Sequence, residues 1–175
     1  MNRKRSFALR VFLFFSLFLA APVSALEIGT TAPDFQLKTL DGRDVRLSDY
    51  QNRIILLKLG TVWCPSCQEV SKEICGLDRL LAKNNIVVIE VFLQDSESGI
   101  RDYLRNRDCG GFENVVVRDE GQVRQAYDVY LIPRLLFLDG DLRVRRDVSR
   151  ISGREIAKEI EKIMTRKSEV AGGAE

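Results

Sequence analysis

Two cysteines three residues apart dominate the chemistry that this sequence could perform. Cys64 and Cys67 belong to the segment Trp-Cys-Pro-Ser-Cys at 63–67, which follows an apolar run from Ile54 to Leu59. Pro65 suits the first turn of a helix, where the N–H group that proline lacks would have no partner anyway. The pattern predicts a strand-to-helix junction with Cys64 at the helix N-terminus and Cys67 one turn inside.

This geometry suits reversible disulfide chemistry. The partial positive charge at a helix N-terminus favours the thiolate of Cys64, which makes this cysteine the predicted nucleophile. Cys67 is then placed to attack a mixed disulfide on Cys64 and to release the product. We therefore expect one thiol to attack the substrate and the other to resolve the intermediate.

Other uses of paired cysteines find less support in the sequence. A structural zinc site needs two further ligands with their own short spacing, but the remaining cysteines, Cys75 and Cys109, are far apart. The chain has no histidine, which argues against Cys/His zinc sites, imidazole copper sites and nucleophiles activated by a histidine base. Covalent haem attachment would need histidine where Gln68 stands. We predict dithiol redox chemistry without a metal, flavin or nucleotide cofactor.

The N-terminus has the layout of a secretory signal. Basic residues without an acid occupy positions 1–10, an apolar run extends from Val11 to Ala21, and small residues stand at 23–25. We predict cleavage after Ala25. The apolar run is shorter than the roughly 20 residues of a membrane span, so an uncleaved anchor is the second interpretation. The predicted location is the periplasm or another extracytoplasmic space, where disulfides persist.

Length and charge bound what the rest of the chain can be. Without the signal, 150 of the 175 residues remain, which is enough for one domain with a sizeable core. The net charge is +2 for the whole chain and −2 without the four basic residues of the signal. Such a balanced charge predicts no nucleic-acid or anionic-membrane partner. We divide the chain into a signal peptide (1–25), a domain (26–165) and a polar C-terminal tail (166–175).

Hydrophobic periodicity predicts alternating strands and helices. Short alternating runs on either side of the turn dipeptide Asp41-Gly42 predict an N-terminal β-hairpin. The further predicted elements are, in chain order, a strand at 54–59, a helix at 66–83, a strand at 86–93, a helix ending before 109, a strand at 115–117, a helix at 122–127, strands at 134–138 and 142–148, and a helix capped by Ser152. This order indicates an α/β fold in which helices cover both faces of a mixed sheet.

With this order, the residues resemble the thioredoxin superfamily, and more narrowly its exported disulfide reductases, the TlpA/ResA/CcmG-like proteins. The resemblance spans Ile28 to Met164, and three motifs carry it: Gly-Thr-Thr-Ala-Pro-Asp-Phe at 29–35, the segment 63–67, and Ile132-Pro133 before an apolar strand. The resemblance implies a thioredoxin fold and an enzyme that reduces protein disulfides. It also implies that Pro133 is a cis proline lying against the active-site disulfide.

The resemblance implies the surroundings of the site and its partners as well. Trp63, Pro65, Ser66, Ile132 and Pro133 would support the two cysteines and shape a substrate groove, with Trp63 packed beside the disulfide. Disulfide-containing proteins, such as cytochrome c apoproteins, would be the substrates, and a membrane thiol carrier would supply electrons. A disulfide oxidase or isomerase, and a thioredoxin-fold binding module whose dithiol is incidental, remain as alternatives.

A peroxidase is a further alternative, because peroxiredoxins share the motif at 32–35. Their peroxidatic motif resembles P-x-x-x-T-x-x-C. Thr61 fits this pattern, but Leu57 stands where the proline belongs, and a second cysteine at Cys67 is typical of reductases. The sequence therefore favours dithiol chemistry over peroxide chemistry.

Two charged residues interrupt the apolar strands that precede and follow the predicted active-site helix. Lys58 lies in the strand that leads to Cys64, where the thioredoxin family has a buried acid or Asn, and Glu90 lies in the next apolar strand. If these strands are neighbours, the two side chains can form a buried pair under the disulfide, and the ammonium would favour a cysteine thiolate. In the other interpretation, both side chains reach solvent at a sheet end.

Some positions depart from the pattern of the resembled reductases. The glutamate and the proline that follow their second active-site cysteine correspond to Val70 and Lys72 here. Arg134 replaces a frequent threonine; we expect an outward-facing charge, with a role in the potential of the site or in binding an acidic substrate as alternatives.

The second cysteine pair is expected to stay reduced. A disulfide requires Cα atoms within about 7 Å of each other. The fold would place Cys75, on the active-site helix, and Cys109, after the next helix, on opposite faces of the sheet. We therefore expect two unpaired, structural thiols.

Overall fold

The two apolar runs on either side of the active-site helix form the centre of a seven-stranded sheet. The computed structural model describes residues 26–172, so the predicted signal peptide at 1–25 lies outside the described residues. Strands β3 (Ile55–Gly60) and β4 (Val87–Leu93) are buried along their whole length. Burial on both faces explains why these strands have continuous apolar runs rather than an alternating pattern.

The sheet is mixed, with strand order β2-β1-β5-β4-β3-β6-β7. Its other strands are β1 (Gln36–Thr39), β2 (Asp44–Arg46), β5 (Glu113–Asp119), β6 (Arg134–Leu138) and β7 (Val144–Val148). Strands β3, β4 and β5 are parallel, whereas β6 runs antiparallel to β3, and β7 antiparallel to β6. The predicted N-terminal hairpin is confirmed, and its strand β1 adds to β5 in antiparallel orientation.

Helices cover both faces of this sheet, which confirms the thioredoxin-type architecture that the resemblance implied. They are a short 3-10 helix (Leu47–Tyr50), α1 (Pro65–Cys75), α2 (Asp78–Lys83), α3 (Glu97–Arg105), α4 (Gln122–Ala126) and α5 (Gly153–Gly172). Helices α1, α2 and α5 share one core with the sheet, and the 3-10 helix and α4 pack into the core on the other face. Across residues 26–172, no helix has the length and apolarity needed to span a bilayer.

The expectation that Cys75 and Cys109 stay unpaired is wrong. They form a disulfide with a Cα–Cα distance of 5.0 Å. The strand order proceeds β3, β4, β5 in one direction, and right-handed crossovers along one direction place both connecting helices on the same face of the sheet. Helix α3 therefore lies on the same face as α1: Tyr103 of α3 contacts Phe92 of β4, and Gln68 and Lys72 of α1 line one pocket together with Tyr103.

Two helix boundaries also differ from the prediction. The helix expected at 66–83 is two helices, because α1 ends at Cys75 and α2 begins at Asp78. The break contains Gly76, a poor helix former, and directly follows the disulfide-bonded Cys75. At the C-terminus, α5 continues to Gly172, so residues 166–172 of the predicted polar tail are helical.

The thiol content of the oxidised protein tests this pairing. We expect denatured, unreduced protein to incorporate no alkylating reagent, because all four cysteines are in disulfides. Mass spectrometry after alkylation with and without a reductant measures the number of modified cysteines. Two modified cysteines in the unreduced sample, mapped to Cys75 and Cys109, would show that these thiols are free.

Candidate redox site

The first turn of α1 holds the two cysteines of the 63–67 segment. Cys64 and Cys67 form a disulfide with a Cα–Cα distance of 5.2 Å. Cys64 is the N-cap residue, Pro65 occupies the first turn, and the Cys67 N–H donates a hydrogen bond to Cys64 Sγ at 3.2 Å. The Ser66 hydroxyl lies 3.4 Å from the same sulfur. This is the strand-to-helix junction that the sequence predicts.

The two cysteines are both buried, but to different extents. Cys64 is 5% exposed and Cys67 1% exposed, so Cys64 is the less deeply buried residue of the pair. Cys67 packs against Gly60 at the end of β3, where a Cβ would stand 3.0 Å from Cys67 Sγ. Only a residue without a side chain lets β3 approach Cys67, the inner cysteine of the pair, this closely.

The turn between β3 and α1 is held through the backbone of Val62. Its N–H donates to the Asp95 carboxylate at 3.0 Å, and its carbonyl accepts from the Gln68 side chain at 2.7 Å. Burial raises the pKa of Asp95 above its usual value, although the hydrogen bond from Val62 and the charge of Lys58 oppose this shift. Asp95 follows β4 in a polar cluster, and nothing in the sequence indicated this contact.

Beneath the disulfide, Lys58 and Glu90 form a buried ion pair. The parallel register of β3 and β4 sets them side by side, and Lys58 Nζ lies 3.0 Å from Glu90 Oε2. Their side chains are 2% and 4% exposed, so neither reaches solvent at a sheet end. Lys58 Nζ and Cys67 Sγ both lie within 4.0 Å of the point where a Gly60 Cβ would stand. Lys58 Nζ and Cys67 Sγ, the inner of the two sulfurs, are therefore at most 7 Å apart.

The Glu90 carboxylate also binds three groups that the sequence analysis missed. Arg107 donates to both of its oxygens at 2.8 and 2.6 Å, Asn114 donates at 2.9 Å, and Ser71 donates at 3.2 Å. Burial raises the pKa of Glu90, but the charge of Lys58 and the hydrogen bonds and charge of Arg107 outweigh it and hold the pKa well below its usual range. Two cations around one anion leave the cluster with one net positive charge.

The loop before β6 lies next to this site. The Ile132–Pro133 peptide bond is cis, as the resemblance implied. Arg134 of β6 pairs with Leu59 of β3, so Pro133 lies beside Gly60. Gly60 is the last residue of β3, directly before the turn that leads to Cys64. Pro133 is buried and Ile132 is half-buried.

Large apolar side chains near the site are exposed. Trp63, directly before Cys64, is 70% exposed, and its packing beside the disulfide stays a prediction. Tyr130 and Leu131, in the loop that leads to Pro133, are 82% and 77% exposed. These three residues are the most exposed large hydrophobic side chains among the described residues.

Arg134 does not face outward as expected. Its guanidinium lies 2.6 Å from the Asp147 carboxylate on the neighbouring strand β7, and it also donates to the Tyr127 carbonyl. The antiparallel pairing of β6 with β7 brings this acid within reach, a contact between residues 13 positions apart. Because Asp147 neutralises its charge, Arg134 adds little positive potential to the site.

No metal centre accompanies the disulfide in the part of the chain that the structure describes. Residues 26–172 contain no group of three or more His, Cys, Asp or Glu side chains placed to hold a metal ion. The reactive group in this region is the disulfide itself.

Comparisons with known proteins agree with this geometry. Residues 28–146 match the AhpC/TSA family. A Geobacillus thermodenitrificans protein named thiol-disulfide oxidoreductase ResA is 25% identical over 126 residues, which are 72% of this chain and 71% of that protein. An uncharacterized protein of Haemophilus influenzae is 30% identical over 139 residues, or 76% of this chain and 87% of that protein.

A solved structure supports the fold. The crystal structure of a thiol:disulfide interchange protein of the thioredoxin family from Chlorobium tepidum superposes with a TM-score of 0.68. The superposition covers 78% of this chain and 97% of that chain, at 14% sequence identity. At that identity, the likeness establishes the thioredoxin fold and leaves the chemistry to the residues of the site.

Replacing Gly60 tests the close packing of Cys67. In Gly60→Ala, the added Cβ would stand 3.0 Å from Cys67 Sγ and 3.2 Å from Cys67 Cβ, so we expect the free energy of unfolding to fall by about 1–3 kcal/mol. Gly76→Ala is the matched control, because its Cβ meets only backbone oxygens, at 3.6 Å. Urea-induced unfolding measures both variants. Equal stability of the two would contradict the proposed packing.

Proposed function

We propose that this chain, which belongs to the AhpC/TSA family, is an exported thiol–disulfide oxidoreductase that reduces protein disulfides through Cys64 and Cys67. The observation that carries the proposal is the Cys64–Cys67 disulfide at the N-terminus of α1, with Cys64 as the N-cap residue and Cys67 one turn inside the helix. A relative at 25% identity that is named a thiol-disulfide oxidoreductase supports the same activity.

The two cysteines divide the reaction between them. In the reduced enzyme, the Cys64 thiolate attacks one sulfur of the substrate disulfide; a mixed disulfide forms and the other substrate sulfur leaves as a thiolate. Cys67 then attacks Cys64, the enzyme disulfide closes, and the substrate leaves with two electrons and, in total, two protons from the enzyme. The helix N-terminus and the Cys67 N–H stabilise negative charge on Cys64. A dithiol donor returns the enzyme to its reduced form.

The exposed residues around the disulfide are suited to bind an extended substrate segment. Trp63, Tyr130 and Leu131 offer apolar surface, and Pro133 has no N–H group of its own, so the backbone of Ile132 before it is open to pairing with a substrate strand. We infer that the substrates are disulfide-containing proteins, with cytochrome c apoproteins as the example that the resemblance supplies. A membrane thiol carrier is the proposed electron donor.

A disulfide oxidase is the second candidate, and one observation favours it. The net positive charge of the cluster formed by Lys58, Glu90 and Arg107 stabilises a nearby thiolate, and hence the reduced enzyme. A dithiol whose reduced form is stabilised is a stronger oxidant. A disulfide reductase and a disulfide oxidase therefore require different reduction potentials of the Cys64–Cys67 pair.

Membership of the AhpC/TSA family does not by itself make the chain a peroxidase. Leu57 occupies the proline position of the peroxidatic motif and is buried in the core. The Thr61 hydroxyl, which fits that motif, is buried without a hydrogen-bond partner among the described residues. Cys64 is paired with Cys67 instead of standing alone. These features support dithiol exchange.

Reduction of insulin by thiols tests whether the dithiol is catalytic. We expect the wild-type protein to accelerate the reaction and Cys64→Ser to abolish the acceleration, because the nucleophile is lost. Cys67→Ser should accumulate a mixed disulfide with the substrate, which mass spectrometry detects. Equal rates for the wild type and Cys64→Ser would support a binding module instead of an enzyme.

The reduction potential of the Cys64–Cys67 pair decides the direction. Equilibration with glutathione or dithiothreitol measures it, and Trp63, the one tryptophan of the chain, provides a fluorescence signal beside Cys64. A value near the roughly −270 mV of thioredoxin supports a reductase. A value near the roughly −120 mV of DsbA would overturn the proposed direction in favour of an oxidase.

Lys58→Met tests the proposed tuning by the buried ammonium. Loss of this positive charge should raise the pKa of the reactive thiol by about one unit, because the thiolate loses a nearby opposite charge. The pH dependence of the alkylation rate of the reduced protein measures the pKa. Lys38→Met is the control, since Lys38 pairs with Asp44 on the exposed hairpin. An unchanged profile for Lys58→Met would contradict the tuning role.

A further inference from the structure

Arg107 belongs to the buried cluster although it lies outside every helix and strand. Its guanidinium spans both oxygens of Glu90, its side chain is almost fully buried, and it lies over the Tyr103 ring at 5.4 Å. Such a bidentate contact between a guanidinium and a carboxylate is both strong and geometrically specific. Its position in the cluster therefore depends on the conformation of the surrounding segment.

The segment that carries Arg107 connects α3, which ends at Arg105, to β5, which begins at Glu113. Near Arg107, its backbone makes a hydrogen bond from the Arg107 N–H to the Leu104 carbonyl at 3.2 Å. Two residues later, Cys109 is covalently bound to Cys75, the last residue of α1. The same helix that begins with the active-site cysteines thus ends at the anchor of the Arg107 segment.

We propose that the Cys75–Cys109 disulfide positions Arg107 on Glu90, and that Arg107 thereby shifts the redox equilibrium of the Cys64–Cys67 pair. The inference rests on the proposed function of that pair. Arg107 is a positioning residue in this scheme, because it acts on the sulfurs through Glu90 and Lys58.

The effect is electrostatic. Glu90 divides its negative charge between Lys58 and Arg107, so with Arg107 in place Glu90 compensates less of the Lys58 charge on the Cys67 side of β3. The other acid that interacts with Lys58 is Asp95, at the end of β4, while the other ligands of Glu90, Ser71 and Asn114, are neutral. With Arg107 in place, the cluster favours the thiolate and therefore the reduced dithiol.

Release of the segment should reverse this effect. Without the disulfide, the Arg107 segment loses its covalent link to α1, and the guanidinium can exchange Glu90 for solvent. Glu90 then compensates Lys58 alone, the cluster becomes neutral, and the thiolate loses stabilisation. The Cys64–Cys67 pair becomes easier to oxidise and a stronger reductant.

A double-mutant cycle on the full chain tests the inference. The equilibrium constant of the Cys64–Cys67 pair with glutathione is measured by Trp63 fluorescence in the wild type, Arg107→Met, Cys75→Ser/Cys109→Ser, and the triple variant. We expect Arg107→Met and the double-serine variant each to shift the constant toward the oxidised form by about threefold, ~14 mV. The triple variant should show the same shift as either one, because both changes remove one interaction.

Matched controls separate positioning from stability. Arg53→Met removes another arginine–carboxylate contact, a single and more exposed one to Glu113 at the opposite end of the parallel strands, and should leave the constant unchanged. Arg107→Lys, which keeps the charge, should recover part of the shift. A purely structural disulfide would lower the melting temperature of the double-serine variant without moving the constant.

The inference is overturned if Arg107→Met leaves the constant at the wild-type value, a result that does not require the double-serine variant to fold. It is also overturned if the shifts of Arg107→Met and the double-serine variant add in the triple variant, since the disulfide would then act by another route. Loss of the proposed function is recognised separately, because a wild-type protein that fails to reduce insulin would refute the reductase while the equilibrium constant remains measurable.

Discussion

The packing of strands and helices around the active-site disulfide depends on the hydrogen bonds and ion pairs of the buried Glu90 carboxylate. This carboxylate lies inside the sheet and receives hydrogen bonds from β3, from α1, from β5 and from the segment after α3. A buried carboxylate without these partners would cost several kcal/mol, so the four parts of the chain must meet around it. The same requirement places Lys58 close to Cys67, because the residue that neutralises Glu90 lies two positions before Gly60 in β3.

The disulfide and the buried charges near it come from different parts of the chain. The disulfide and the helix N-terminus belong to one local segment, 63–67. The charge around the inner sulfur comes from positions that are distant in sequence. In the resembled reductases an acid follows the second cysteine on the active-site helix; here Val70 occupies that position, and the buried acid comes from β4 instead.

The accuracy of the sequence-based predictions follows from the range of the interactions. Strands β3, β4 and β6 were predicted to within one residue, because burial on both faces of the sheet produces continuous apolar runs in the sequence. The junction at Cys64 was equally local, since proline at the first turn marks a helix start. The predictions for Cys75 with Cys109 and for Arg134 were wrong, because each required knowledge of which elements lie side by side.

The sequence by itself determined the fold class, the redox-active pair and the lack of any histidine that could give this pair another role, because periodicity, spacing and composition are properties of the linear chain. Only the tertiary structure decided that α1 and α3 share one face of the sheet, that Cys75 reaches Cys109, and that Arg107 joins Lys58 at Glu90. The physical reason is that the strand order and the handedness of the crossovers bring these groups together, and neither is written in a local pattern.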